Sequence, residues 1–195
     1  AMSSTDWHIG NWPSVRRRYC GVGHQAFKRL GPINMSDQVD MKNTVSLLIF
    51  LAVCLGVSAI GGAVTQSSVN DWYQTLTKPA FTPPDWLFAP TWLTLYVMMA
   101  LAAWRVWTRS SNYARRAPLA IFAAQLILNL IWSFIFFGAT SPGLAAVEIV
   151  VLWIAILAAL ILFWRIDHFA GWLLCPYLLW VTFAGYLNIW IFLLN

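Results

Sequence analysis

The sequence predicts an all-α membrane protein, a five-transmembrane-helix bundle. Three observations carry this: five separate apolar runs of about 20 residues, no period-two alternation within them, and basic residues sorted almost entirely to one side of the layer they define. Composition agrees. Of 195 residues, 60% are hydrophobic and 10% charged, against roughly 45 to 50% and about 25% in ordinary soluble domains. That balance leaves too little polar surface to cover a soluble globular enzyme, and an aromatic load of 16% argues against a disordered chain.

The runs extend from Val45 to Thr65, Trp86 to Trp107, Ala117 to Phe137, Gly143 to Trp164 and Trp172 to Leu194. Each crosses a hydrocarbon core of about 30 Å at 1.5 Å per residue. Continuous apolarity selects helices over a barrel, because a helix satisfies its own backbone in lipid. Arg16, Arg17, Arg18, Lys28, Arg29, Lys42, Arg105, Arg109, Arg115, Arg116 and Arg165 fall on one side, and Lys78 alone on the other. This predicts an inside N-terminus, an outside C-terminus and an outside first connection. Trp86, Trp104, Trp107, Trp164, Trp172 and Trp190 lie near span ends, where indoles favour the headgroup layer.

Residues 1–42 read as a flexible basic leader and residues 43–195 as the membrane domain. The leader lacks the apolar stretch of a signal peptide. Ala1 ahead of Met2 reads as a tag scar, and Met35 or Met41 as an alternative start. The leader's basic residues suit anionic lipid or an organelle-targeting role. The connection 66–85 contains Trp72, Tyr73, Phe81 and Pro83-Pro84 and reads either as an aromatic lid that controls entry or as a rigid cap that stiffens the bundle. A short helix is expected after Ser68, with Asp71 favouring its start and Pro79 barring its continuation.

Polar residues inside spans are the places to look for function. Gln125, Asn129 and Ser133 recur every fourth residue in the third run with Trp132 and Phe136 alongside; Phe88, Trp92 and Tyr96 do so in the second, and Trp180, Ala184 and Asn188 in the fifth. Such stripes face protein or a cavity. The two readings are interhelical hydrogen bonding and a pocket for a flat apolar guest, in which indoles stack and amides orient polar edges. Glu148 is the one carboxylate well inside a run, and a hydrogen bond between helices is favoured over a proton relay because no second intramembrane acid or base accompanies it. Ala52 and Gly56, Ser58 and Gly62, and Ala120 and Ala124 are small-residue pairs suited to helix contact or dimerisation.

Other chemistry finds no support. Cys20, Cys54 and Cys175 form no CxxC pair, and His8, His24 and His168 make no metal-ligand spacing. No Ser-His-Asp set, HExxH helix or paired catalytic carboxylates occur in the runs. No metal, required cofactor or nucleic-acid partner is expected.

Several motifs in one order resemble the tryptophan-rich sensory protein family, whose animal members are the translocator proteins or peripheral benzodiazepine receptors. They are Trp72-Tyr73, Leu76, Lys78-Pro79, Phe81, Pro83-Pro84 and Trp92; then Gln125 to Asn129 with Trp132; then Pro176-Tyr177-Leu178-Leu179-Trp180 through Phe183-Ala184 to Leu187-Asn188. The match covers about Val45 to Asn195. The resemblance implies a membrane protein, often a homodimer, that binds porphyrins such as protoporphyrin IX and in some members cholesterol or benzodiazepine-type drugs. It implies that Trp92 and Trp180 are the tryptophans concerned with porphyrin, and that Tyr73, Asn129 and Ala184 stand at pocket positions. The family's cholesterol motif requires a Tyr followed by a base, and the stretch Asn188 to Asn195 has neither.

The expected ligand-binding set is therefore Tyr73, Phe88, Trp92, Tyr96, Gln125, Asn129, Trp132, Trp180 and Ala184. The expected activity is a receptor or carrier for a porphyrin or another flat apolar molecule, in sensing, scavenging or transport of tetrapyrroles. With no His inside a run, a metal-free macrocycle is preferred over haem. The alternatives are a light- and oxygen-dependent porphyrin-degrading enzyme with Trp92 and Trp180 as catalytic indoles, and a structural membrane subunit with a filled core. A bacterial cell membrane is the expected location.

Overall fold

The computed structural model describes residues 35–195, with side chains from Asp40 onward. Helix α1 spans Met35–Val69, α2 Trp72–Thr75, α3 Phe88–Arg109, α4 Arg116–Ser133, α5 Pro142–Ile166 and α6 His168–Leu194. Most of the leader lies outside the described residues; its end, from Met35 to Lys42, is already part of α1. No strand occurs among the described residues.

All five expected spans are present as helices long and apolar enough to cross a membrane. Most run a few residues past the apolar limits read from sequence, because backbone hydrogen bonding continues into the interface after hydrophobicity has ended. A 3₁₀ turn at Asp85–Leu87 leads from Pro83-Pro84 into α3. At the far end of α4 the helix widens into a π-turn over Phe134–Gly138, Ala139 N donating to Phe134 O at 2.7 Å. Thr140 then takes a left-handed φ of 47°, and Pro142 starts α5 in the first turn, where its missing N–H costs nothing.

The closest packing is between α5 and α6, with α4 against α5 and α3 against α6. Only Asp167 separates α5 from α6. Its Oδ1 accepts from Phe169 N at 3.0 Å, and its Oδ2 receives Arg105 Nε at 2.7 Å and Arg109 Nε at 3.3 Å from α3. Burial pushes this carboxyl up, but the Arg105 hydrogen bond, the Phe169 N–H and the two guanidinium charges outweigh it and hold it below the usual carboxylate range. The stabilisation is therefore present above the unfolded carboxyl's pKa and is lost as pH falls through the lower folded value. Asp167→Asn should cost about 1.5 to 3 kcal/mol, and thermal unfolding of the variant should lose the acid-side dependence attributable to this group.

Gly171 shows how tight this hairpin is. A Cβ there would stand 2.5 Å from Trp164 Cε3 and 3.1 Å from its Cα, so the backbone of α5 leaves no room. Gly171→Ala should cost about 1 to 3 kcal/mol by overpacking, read as a lowered unfolding temperature.

Helix α1 is peripheral: 11% of its apolar window is buried, against 33% in α3. It is fastened at its two ends to different partners. Near its start, Trp104 Nε1 on α3 donates to Asn43 O at 2.9 Å, and the Phe50 and Trp107 rings meet edge to face at 6.1 Å. Near its finish, Ser68 Oγ donates to Phe137 O at 2.7 Å, and Gly61 and Gly138 allow close approach between α1 and α4. Ser68 is thus part of α1 rather than the start of the lid helix. The short helix begins at Trp72, after an Asp71 whose side chain makes no cap bond, and ends at Thr75, where Leu76 turns extended. It stops before Pro79 is reached.

Candidate ligand-binding cavity

A cavity of about 550 Å³ lies between α1, α3, α4 and α6 and is closed at one end by the connection 66–85. Eight of the nine residues selected from sequence line it: Tyr73 from α2, Phe88, Trp92 and Tyr96 from α3, Asn129 and Trp132 from α4, and Trp180 and Ala184 from α6. The four-residue recurrence brings this about, since each stripe occupies one helix face and the three faces converge. Rings supply much of the wall. Phe88 meets Trp180 edge to face at 5.8 Å, Trp92 lies 5.9 Å from Tyr96, and Trp132 stacks on Phe136 at 5.1 Å.

Gln125 does not line the cavity and is a correction to the set. It is buried one turn below Asn129 and belongs to a chain of hydrogen bonds under the floor. Tyr96 OH donates to Asn129 Oδ1 at 2.6 Å, Asn129 Nδ2 to Tyr177 OH at 3.0 Å, Tyr177 OH to Gln125 Oε1 at 2.9 Å, and Gln125 Nε2 to Met99 Sδ at 3.8 Å. A second link runs from Trp132 Nε1 to Asn188 Oδ1 at 3.1 Å and from Asn188 Nδ2 to Pro142 O at 2.8 Å. The interhelical reading of the polar stripe holds: the amides tie α3, α4, α5 and α6 together, and the same ties hold Tyr96, Asn129 and Trp132 at the cavity wall. Ser133 Oγ turns back to Asn129 O within α4.

Sequence reasoning missed the contribution of α1. Ser58, Gly61, Gly62, Thr65 and Gln66 line the cavity, so Ser58 and Gly62 face a space rather than making the helix contact expected of them. Tyr177 was also missed as the central bond of the floor; its signal was a buried phenol one turn before Trp180.

Glu148 makes no hydrogen bond to another helix, contrary to expectation. Both carboxylate oxygens are buried and lack a partner among the described residues. Trp180 Nε1 is likewise buried without a partner among them.

The connection 66–85 behaves as a fastened cap. Tyr73 is buried and packs at 5.8 Å from Phe137, Trp72 at 5.7 Å from Phe136. Gln74 Nε2 donates to Asp85 Oδ2 at 2.9 Å, and Lys78 Nζ sits 4.0 Å above the Tyr73 ring. Thr77 N donates to Asn195 Oδ1 at 2.9 Å while Asn195 Nδ2 donates back to Thr77 O at 3.1 Å. Burial, aided by the Asp85 carboxylate, pushes the Tyr73 hydroxyl up to about 12. Among the described residues, no group of three His, Cys, Asp or Glu is placed to hold a metal.

Residues 50–194 match the model of the TspO/MBR family. The chain is 41% identical over 158 residues to the tryptophan-rich protein TspO of Chlorobaculum tepidum, covering 79% of this chain and 98% of that one. It is 36% identical over 152 residues to protein CrtK of Rhodobacter capsulatus, covering 77% and 95%, and 36% identical over 138 residues to the translocator protein of Sus scrofa, covering 68% and 82%. Five membrane-length helices, the motif order and a match over most of the chain agree, and the chain belongs to the TspO/MBR family.

Proposed function

We propose that this integral, multi-pass membrane protein is a receptor or carrier for a porphyrin-type planar tetrapyrrole, held in the cavity between α1, α3, α4 and α6. One observation carries the reading: Trp92, Trp132 and Trp180 come from three different helices to wall a single space of about 550 Å³, within the range of about 300 to 1,000 Å³ typical of small-molecule sites. A flat macrocycle suits it, since indole and phenol faces stack while the amides of the floor are already committed to phenol, indole and backbone partners. Lipid and a second copy of the chain are the further partners, the latter supported by the outward-facing pairs Ala52 and Gly56, and Ala120 and Ala124. The bacterial relatives support a bacterial cell membrane, and the sorting of basic residues supports an inside N-terminus.

Titration of protoporphyrin IX into the protein in vesicles should give saturable quenching of tryptophan fluorescence. A linear, unsaturable response would instead favour a purely structural subunit.

The placement of both Trp92 and Trp180 on this one cavity favours a second reading, degradation of the pigment by light and oxygen with the indoles as oxidisable neighbours. Products formed under illumination should then differ between the wild type and Trp92→Phe or Trp180→Phe; unchanged turnover in both variants rejects the enzyme.

A further inference from the structure

We infer that Asp85 sets the charge class of the ligand, so that the cavity favours a tetrapyrrole whose acid side chains are esterified, and therefore uncharged, over the free acid. The inference rests on the pigment-binding reading of this cavity and adds which chemical form of the pigment it takes.

The lining is lopsided in charge. Among the described residues Asp85 is the one charged side chain on the cavity, and no Lys, Arg or His lines it. Asp85 stands at the capped end, in the 3₁₀ turn that leads into α3, and Gln66 and Asn70 line the same end from the finish of α1 and the residue just beyond it. Gln74 fixes the carboxylate there. Its Nε2 donates to Asp85 Oδ2 at 2.9 Å and also to Val69 O, on the last residue of α1, at 2.9 Å. A neutral amide holds the carboxylate in place without cancelling its charge. Lys78 does not line the cavity: its Nζ lies 4.0 Å over the Tyr73 ring and donates to Gln74 Oε1 at 3.2 Å.

A free porphyrin acid brings two propionates. Rings make up much of the rest of the wall, and a carboxylate pressed against them would lose its hydration for nothing. The acid edge of the guest is therefore driven to the capped end, where it meets Asp85 and no lining cation to pair with. Like charges a few ångströms apart repel even where water partly screens them. An ester keeps the carbonyl oxygens that the Gln66 and Asn70 amides can donate to and carries no charge. It retains the polar contacts and escapes the repulsion.

The experiment titrates protoporphyrin IX and its dimethyl ester into the protein in phosphatidylcholine vesicles, whose lipid adds no net charge. Comparing each pigment between wild type and variant cancels the difference in how the two partition into the bilayer. Asp85→Asn, which keeps an acceptor for Gln74, should tighten the free acid by about 3- to 10-fold and leave the ester where it was. Raising the salt concentration should tighten the acid on the wild type more than on Asp85→Asn, an independent reading of the same charge. Asp71→Asn removes an exposed carboxylate at the same end that does not line the cavity, and should move neither pigment. A wild type that takes the ester alone, with the acid admitted by Asp85→Asn, is the expected result in its strongest form. Acid affinity unmoved by Asp85→Asn, an ester tightened as much as the acid, or an equal gain in Asp71→Asn overturns the assignment to Asp85. Failure of the wild type to bind either pigment is a different result and overturns the pigment-binding reading itself.

Discussion

Asn129→Leu should lower the stability of the folded bundle by about 1 to 3 kcal/mol, because the buried Tyr96 phenol loses its acceptor and the Tyr177 phenol one of its two partners. Tyr96 OH would have no acceptor, and Tyr177 OH no donor from the Asn129 amide. Tyr177 OH keeps its bond to Gln125 Oε1, so the buried Tyr96 hydroxyl, left without an acceptor, carries most of the desolvation cost. The side chain that replaces the amide is of similar size, so packing is nearly conserved and the loss reports the polar network. The check is a mutant cycle in thermal unfolding: Tyr96→Phe added to Asn129→Leu should restore much of the lost stability by removing the hydroxyl left without an acceptor, while Tyr177→Phe should not, since it strips Gln125 Oε1 of its donor. A double variant, Asn129→Leu with Tyr96→Phe, no more stable than Asn129→Leu alone would show that the network is not the source.

Trp92→Ala and Trp180→Ala should each weaken porphyrin binding by about 10- to 100-fold, equivalent to about 1.4 to 2.8 kcal/mol from lost ring contact and buried area. Both indoles line the cavity, from α3 and α6. The informative comparison is Gln125→Leu. Sealed beneath the floor, Gln125 touches Tyr177 and Met99 and not the cavity. Its replacement should reduce stability by about 1 to 3 kcal/mol while shifting porphyrin affinity far less than either tryptophan variant. Equal losses of affinity in all three would mean that the floor and the wall act as one unit, and that the division between support and contact is wrong. Fluorescence titration of each variant, with an unfolding curve to confirm that it is folded, separates the two roles.

The same residues show how much of the site could be read from order along the chain. A four-residue recurrence places side chains on one face of one helix, and this alone joined Phe88 to Trp92 and Tyr96, and Trp180 to Ala184. It holds whatever the neighbours are. It could not separate Asn129 from Gln125, which share a stripe one turn apart, because a stripe extends along the whole helix while a cavity occupies only part of its length. What engages Gln125 away from the cavity comes from other helices: Tyr177 of α6 donates to it and Met99 of α3 accepts from it. Nor could it find Gly62, since a glycine in an apolar run reads as a packing surface unless one knows that the opposing helix has moved away.

Five apolar lengths, their ends and the sorting of basic residues are local properties, determined by the cost of placing backbone and charge in hydrocarbon, and order along the chain contains them in full. Which face meets which is different in kind. The lean of α1 from α3 toward α4, the pressing of α5 on α6 about the one-residue turn at Asp167, and the engagement of Asn188 by Trp132 and Pro142 arise from contacts between residues far apart in the chain. Lipid exerts no pull of its own to choose among helix pairings, so that choice rests on close fit and hydrogen bonds between helices, and these exist only once the bundle has assembled.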